Sequence, residues 1–488
     1  MKTSTIHVTR RPEQLVPDDN RVISRFFEMG PRRTKTTLDR VLRMTDAQVD
    51  DMLPRIWHRF SDRHNDIRSD LIQNFEQVAP HLPAGHRLSE DRKLIIGAYF
   101  TMEYSIEAAA LFNPSMVMNP SQVDVPDGSV RFLMSLRATG EGHLSSIVFR
   151  RGVASAEGEL QLDPPTRLAY SSRPVPDYLY NKDLFFRKLM EMKVYEEPVR
   201  MVLDELPDQF TQQQLNEVIA VQKYNPRTPR AYLTVFSDMT WLAQANYEVR
   251  FSSSAAPAEI VIFPATESER RGMEDLRLVR FTDDHGEAHY YGTYTAYDGS
   301  RILPMLLDTV DFHTFHISTL NGRYAKNKGM ALFPRRIDGK YMMLSRHDGE
   351  NIYLLQSTGI HFWHEAQKLL EPRYPWELVQ LGNCGSPVET EAGWILLTHG
   401  VGPMRVYCIG AVLLDLHQPW KVIGRLRYPL LIPTELEREG YVPNVVYSCG
   451  AMAHNNLLII PYAMSDSRTS FAVVRIDDLI NELVNDGP

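Results

Sequence analysis

The chain has 488 residues, 43% of them hydrophobic and 23% charged, with a formal net charge of −8. That length suits two or three globular domains, and an acidic balance without a long basic run argues against nucleic acid or an anionic membrane surface as a partner. Cys384, Cys408 and Cys449 show no paired metal-ligand spacing and no disulfide framework. The stretch Met1 to Arg11 is polar and no apolar run reaches membrane-spanning length, so the expected location is cytoplasmic.

Residues 1 to about 35 read as a polar arm or a short strand. From Thr37 to about Glu76 the apolar residues Leu38, Val41, Leu42, Val49, Leu53, Ile56, Leu71 and Phe75 recur at three- and four-residue steps, the period of an amphipathic helix. Ser89 is a candidate cap for a further helix over Lys93–Phe112. Residues 1–112 are therefore expected to be an N-terminal helical region, serving packing or association into a homo-oligomer. Beyond Asn113-Pro114 the pattern changes to strands. Val130–Arg137 and His143–Arg150 read as a hairpin turning at Gly140-Glu141-Gly142. Helical signals return over about 175–222, as an insertion, and from about Tyr232 onward strands and turns are expected to the end.

One segment type recurs in that last stretch. Tyr290–Gly299, Lys340–Gly349, Trp394–Gly400 and Leu457–Asp466 each run from an apolar strand into a polar loop. Their spacing is close to the length of one four-stranded propeller blade. The fold class expected is mainly β: a five-bladed β-propeller over 113–488, with the N-terminal helical region and the helical insertion. Its inner strands would bring Asp298, Arg346, His347, Asp348, His399 and Asp466 to one mouth. A second cluster precedes them: Glu274 and Asp275, bracketed by Arg271 and Arg277. Strand alternation would put these two acids on opposite faces, so that one of them enters a given cleft; a solvated, salt-bridged turn is the plainer reading of the same residues. Carboxylates, arginines and a lysine around one mouth suit a polar, anionic or sugar-like substrate.

Gly272-Met-Glu-Asp-Leu-Arg277, Tyr294–Gly299, Lys326–Pro334, Leu344-Ser-Arg346, Gly385-Ser-Pro387, Thr398–Val401, Gly440–Val446, Cys449-Gly450 and Tyr462–Asp466, in this order over roughly residues 230–488, resemble glycoside hydrolase family 130. The resemblance implies a five-bladed propeller acting on β-mannosides, most members being inverting phosphorylases that release α-mannose 1-phosphate. It implies Asp275 as the general acid, and Asn113, Arg137 and Asp466 as contacts to the mannose; the repeat itself, not the resemblance, offers Asp298 and Asp348 as further substrate-side carboxylates at the mouth. It implies Lys328, Arg346, His399 and Tyr441 around phosphate. No metal and no organic cofactor are implied; inorganic phosphate is the co-substrate, and a β-linked manno-oligosaccharide is the other partner.

Two departures from the family pattern stand out. Lys328 replaces an arginine, keeping charge but losing the bidentate fork. Glu389, in Ser386-Pro-Val-Glu-Thr390, stands where a lysine is expected near phosphate. A carboxylate there repels the anion and is placed to activate water as a base, which makes an inverting β-mannosidase the alternative. A non-catalytic carbohydrate-binding propeller is the third reading. Glu274 reads as structural, paired with Arg277 or Arg271. His313 and His316 read as hydrogen-bonded histidines rather than a metal pair, Trp363 and His364 as packing between blades, and Tyr374 and Trp376 as a platform for an acceptor sugar.

Overall fold

The structure, a computed structural model, describes residues 4–83, 87–171, 173–175 and 178–488. It is mainly β, with two helical regions. Among the described residues, five antiparallel-rich sheets of four to six strands carry most of the chain. Each carries at one edge a strand called here its inner strand: Ala110–Met118, Met273–Thr282, Lys328–Leu332, Gln380–Asn383 and Val446–Tyr447. The strand Thr9–Leu15 pairs with Arg468–Arg475 as the outer strand of the last sheet, so the polar arm is a strand that ties the two ends of the chain together.

Five apolar layers join the sheets in sequence. Phe149 and Ile147 of the first pack against Met305, Phe315 and Ile317 of the second. Val279 and Phe281 meet Met343, Leu355 and Trp363. Leu344 and Leu354 meet Trp394 and Val412, and Ile395 and Leu413 meet Ile460 and Ala472. The fifth sheet returns to the first through Ile459, Phe471 and Val473 against Phe132, Met134 and Leu136. Every sheet is thus buried on both faces. This is why these strands are continuous apolar runs rather than alternating ones, as for Trp394-Ile-Leu-Leu-Thr-His399, all buried.

Four N-terminal helices, α1 (Pro31–Leu42), α2 (Asp46–Phe60), α3 (Ile67–Val78) and α4 (Glu90–Tyr99), share one apolar core. Thr45 and Ser89 cap α2 and α4 as their positions require. The helix expected over Lys93–Phe112 ends at Tyr99. Thr101–Ser105 is instead a strand paired with Val22–Phe26, and Ala110–Met118 is already the inner strand of the first sheet. Pairing partners distant in sequence decide this stretch, and its apolar spacing fits both periods.

The insertion also runs further than expected. Helices α5 (Lys182–Glu191), α6 (Glu196–Leu203), α7 (Gln212–Tyr224) and α8 (Tyr232–Gln244) form a second helical unit. Tyr232, Val235, Phe236, Met239, Leu242 and Ala243 lie at helical spacing and are buried in its core, so strands begin only after this helix and not at Tyr232. Helix α9 (Ile476–Asp486) packs on the fourth and fifth sheets. No helix among the described residues is long and apolar enough to cross a membrane, and all three cysteines are free and buried.

Candidate active site

Three inner strands and the turn that follows Leu457–Met464 share a backbone device. Asn113, Asp275, Asn327 and Asp466 all have positive φ, between 49° and 61°, a left-handed conformation that Asn and Asp adopt more readily than other side chains. At three of these points the strand register shifts: between Phe112 and Ser115, between Glu274 and Arg277, and between Lys328 and Ala331. Such bulges re-aim side chains. Gly272, at φ 126°, lets the chain pass against Ser145 of the first sheet, where any Cβ would meet Ser145 Oγ at 2.4 Å.

The bulge overturns the alternation argument. Glu274 and Asp275 point the same way, into a common network. Arg137 donates to Glu274 Oε1 at 2.9 Å and to Asp275 Oδ1 at 3.4 Å. Asn113 Nδ2 donates to the same Asp275 oxygen at 2.7 Å, and Lys328 Nζ donates to Glu274 Oε2 at 2.6 Å. Glu274 is therefore a member of the site and not a partner of Arg277 or Arg271. Arg277, buried, donates to the Asp275 backbone carbonyl at 3.0 Å and to Tyr447 Oη at 2.7 Å. Sequence reasoning missed Glu274, Arg277 and Tyr447 as site residues; the Arg-flanked acid pair was the available signal for the first two.

The cationic side is built by register. Lys328 and Arg346 face each other across the first two strands of the third sheet. Arg346 donates to His399 Nε2 at 3.0 Å. His399 is held well below its ordinary pKa by burial and then by Arg346 and Arg277, so it is neutral and able to accept that bond. The buried Nε of Arg346, Nε of Arg277 and both amide atoms of Asn383 have no hydrogen-bond partner among the described residues. Buried donors of this kind favour a ligand that accepts hydrogen bonds.

Charge separates the carboxyl groups. Burial raises the pKa of Asp275, but Arg137, Arg277, Lys328 and the Asn113 hydrogen bond outweigh it and hold the group at about 2. Asp466 is pushed up to about 6 by burial and by the Asp275 charge, against the pull of Arg137 and Arg405. Two neighbouring carboxyls with pKa values driven apart are the usual arrangement of acid–base sites.

The remaining expected residues fall elsewhere. Asp298 accepts from the backbone N–H groups of Ser300 and Arg301 at 2.7 and 2.6 Å. Asp348 does the same for Glu350 and Asn351 at 3.0 and 2.9 Å. Both are turn carboxylates, one oxygen of Asp298 and both oxygens of Asp348 being engaged locally, and the His347 ring lies against that of Tyr353 at a tilt of 46°. Tyr441 is 58% exposed and its ring stacks on His143 at 5.4 Å; it stands at the rim by the Asp466 loop and makes no contact with Lys328 or Arg346.

Glu389 is also outside the network. It sits on the short strand Val388–Thr390 and takes a bidentate pair from Arg335, at 2.6 to 3.0 Å, with that guanidinium resting on Trp394. Trp376 is buried against the fourth sheet, and its ring leaves no room for a Cβ at Gly400 or Gly410, so it is a core residue and no sugar platform. Tyr374 lies against Arg373 and Arg425. His313 bonds the Asp311 and Ala255 carbonyls, while His316 pairs with Glu248. Trp363 packs between the second and third sheets, but His364 reaches Glu191 of α5 instead.

Residues 242–485 match the profile of a family described as beta-1,4-mannooligosaccharide phosphorylase. The 1,2-beta-oligomannan phosphorylase of Thermoanaerobacter sp. (strain X514) is 35% identical over 223 residues, covering 44% of this chain and 72% of that protein. The Beta-1,4-mannooligosaccharide phosphorylase of Ruminococcus albus is 33% identical over 185 residues, 36% of this chain and 55% of that one. Among solved structures, the Beta-1,2-Mannobiose phosphorylase of Listeria innocua aligns with a TM-score of 0.45 and 22% identity over 78% of this chain and 93% of its own. The profile match spans half of the sequence, and the chain belongs to glycoside hydrolase family 130.

Proposed function

We propose that this protein is an inverting phosphorylase of β-mannosides, cleaving β-1,2- or β-1,4-linked manno-oligosaccharides with inorganic phosphate to give α-mannose 1-phosphate. The ring of sheets is read as a five-bladed β-propeller with the cleft at its centre. The observation that carries the reading is the pairing of one carboxylate network, Asp275 with Asn113 and Arg137, with one cationic corner, Lys328 opposite Arg346.

In the reaction, the glycosidic C1–O bond breaks while a phosphate oxygen bonds to C1 from the opposite face. The leaving oxygen takes a proton from Asp275, and the proton lost by hydrogen phosphate restores the acid. In the free site Asp275 is ionised, because three cations hold its pKa at about 2. Phosphate bound beside Lys328 and Arg346 offsets those charges and raises the pKa of Asp275. The acid is thus armed by the co-substrate, which favours phosphorolysis over attack by water. Asn113, Arg137 and Asp466 would hold the mannose ring, and the His143–Tyr441 pair at the rim is placed to meet the acceptor sugar.

The hydrolase alternative relied on Glu389 as the base. With both of its oxygens engaged by Arg335, it is not available to activate water. Glu389→Gln is expected to keep phosphorolysis within about twofold of the parent, since exposed ion pairs contribute little. Loss of turnover in that variant, measured on β-mannobiose with phosphate, would return Glu389 to the chemistry and the enzyme to the hydrolase class.

Asp466 sets a pH dependence. Its ionised form accepts sugar hydroxyls, so kcat/KM for the disaccharide at saturating phosphate falls as pH drops through about 6, where this carboxyl takes up a proton. In Asp466→Asn that limb disappears while the overall rate is lower. An unchanged limb at about 6 in the variant would assign the titration to another group.

A further inference from the structure

A separate cavity, of about 290 Å³, lies where helix α5 of the insertion crosses the middle strands of the second sheet. Tyr291, Asp308 and His316 form one lateral row across three strands of that sheet, with Ser318 beside them. Lys188 of α5 and His361, from the turn after the strand Ile352–Ser357, complete the wall, and Tyr178 adds a second aromatic ring. None of these residues belongs to the cleft described above.

Lys188 is 3% exposed. Among the described residues its ammonium makes one hydrogen bond, to Asn246 Oδ1 at 2.6 Å. Asn246 is itself fixed, donating to Leu242 O at 2.7 Å and accepting from Thr319 N at 3.1 Å. Burial lowers the Lys188 pKa to about 7, and burial followed by the Lys188 charge lowers that of His361 to about 4. His361 is therefore a neutral imidazole, 3.5 Å from Ser318 Oγ. Asp308 accepts no hydrogen bond among the described residues, His316 being taken by Glu248 at 2.9 Å, and burial raises its pKa.

A buried amine with donor capacity to spare and a carboxyl with acceptor capacity to spare thus share one small cavity with Tyr178, Tyr180 and Tyr291. A free anion meets Asp308 there, and a free cation meets Lys188. A neutral polyhydroxylated ring meets neither difficulty: its hydroxyls accept from Lys188 and donate to Asp308, and its apolar face lies against a tyrosine. The volume is at the low end for ligand sites, and suits one ring rather than a chain. We propose that this cavity is a non-catalytic binding site for a single hexose unit, seated between the helical insertion and the second sheet.

The test titrates the full chain with mannose, glucose and galactose in turn, by calorimetry and ligand-observed NMR. The parent should show, for at least one of the three, a class of site beyond the catalytic cleft. Lys188→Met and Asp308→Asn should each weaken that class by about tenfold or more, the loss of one hydrogen bond to an ionisable group. Turnover of mannobiose at saturating concentration should stay unchanged, which separates failure of this site from failure of the cleft assignment. A companion measurement needs no variant: the same hexose should slow amide hydrogen exchange over Lys182–Glu191 several-fold, read by peptide mass spectrometry. No site beyond the cleft for any of the three sugars, a second class indifferent to both substitutions, or hydrogen exchange over Lys182–Glu191 unaffected by any of the hexoses would each overturn the proposal.

Discussion

Asp275→Asn is expected to lower kcat for phosphorolysis of β-mannobiose by about 10²- to 10⁴-fold, the usual contribution of a positioned general acid, with little change in disaccharide KM. The substitution is isosteric. Asn113 Nδ2, now 2.7 Å from Asp275 Oδ1, can still donate to the amide oxygen, so the strand entrance keeps its shape while the proton donor is lost. The compensation among Arg137, Arg277 and Lys328 is altered at the same time, because the variant removes the negative charge they surround. Phosphate is then expected to bind at least as tightly as before, since an anion enters a more positive site. Steady-state kinetics in both substrates check this, and a kcat within tenfold of the parent would remove Asp275 from the acid's role.

The second large effect belongs to Arg346. Arg346→Met keeps the length of the side chain and removes its charge and its bond to His399, 3.0 Å away. Charge-assisted hydrogen bonds contribute about 1.5–3 kcal/mol each, so the phosphate KM is expected to rise about 10- to 100-fold with the disaccharide KM much less affected. Arg346→Lys should recover part of the loss, as a point charge without the fork. Equal effects of Arg346→Met on both substrates would place this side chain on the sugar rather than on phosphate.

The sequence made the strand-rich architecture legible through its repeated apolar runs ending in polar loops, and the N-terminal helices through their period. It was less informative where backbone conformation decides. Alternation, the rule of a regular strand, puts Glu274 and Asp275 on opposite faces; Asp275 at φ 59° with a register shift behind it breaks that rule. Asn113, Asn327 and Asp466 sit in the same left-handed conformation, and no pattern of hydrophobicity announces a bulge.

Asp298 and Asp348 illustrate the reverse case. Both are followed by glycine, Gly299 and Gly349, with φ of 102° and 89°, and Asp-Gly between two strands is a hairpin signal. That signal favoured a turn, and the turn is what these two acids serve. Asp466, followed by Ser467, lacks it. Position in a motif points Glu389 to the chemistry, yet the residue that engages it, Arg335, is 54 positions away in sequence. Ion-pair partners of that kind come from the packing of sheets and are not visible along the chain. The extension of the insertion through α8 has a plainer cause: Tyr232 to Ala243 carries a helical period that the neighbouring strands overshadowed.

The most direct measurement is an incubation of the enzyme with β-1,2- and β-1,4-mannobiose, with and without inorganic phosphate, followed by anomer-resolved NMR of the products. α-Mannose 1-phosphate is expected from at least one of the two disaccharides in strict dependence on phosphate, with little free mannose from the non-reducing end when phosphate is withheld. Equal release of mannose with and without phosphate would contradict the phosphorylase reading, and would assign Lys328 and Arg346 to the sugar instead of the phosphate.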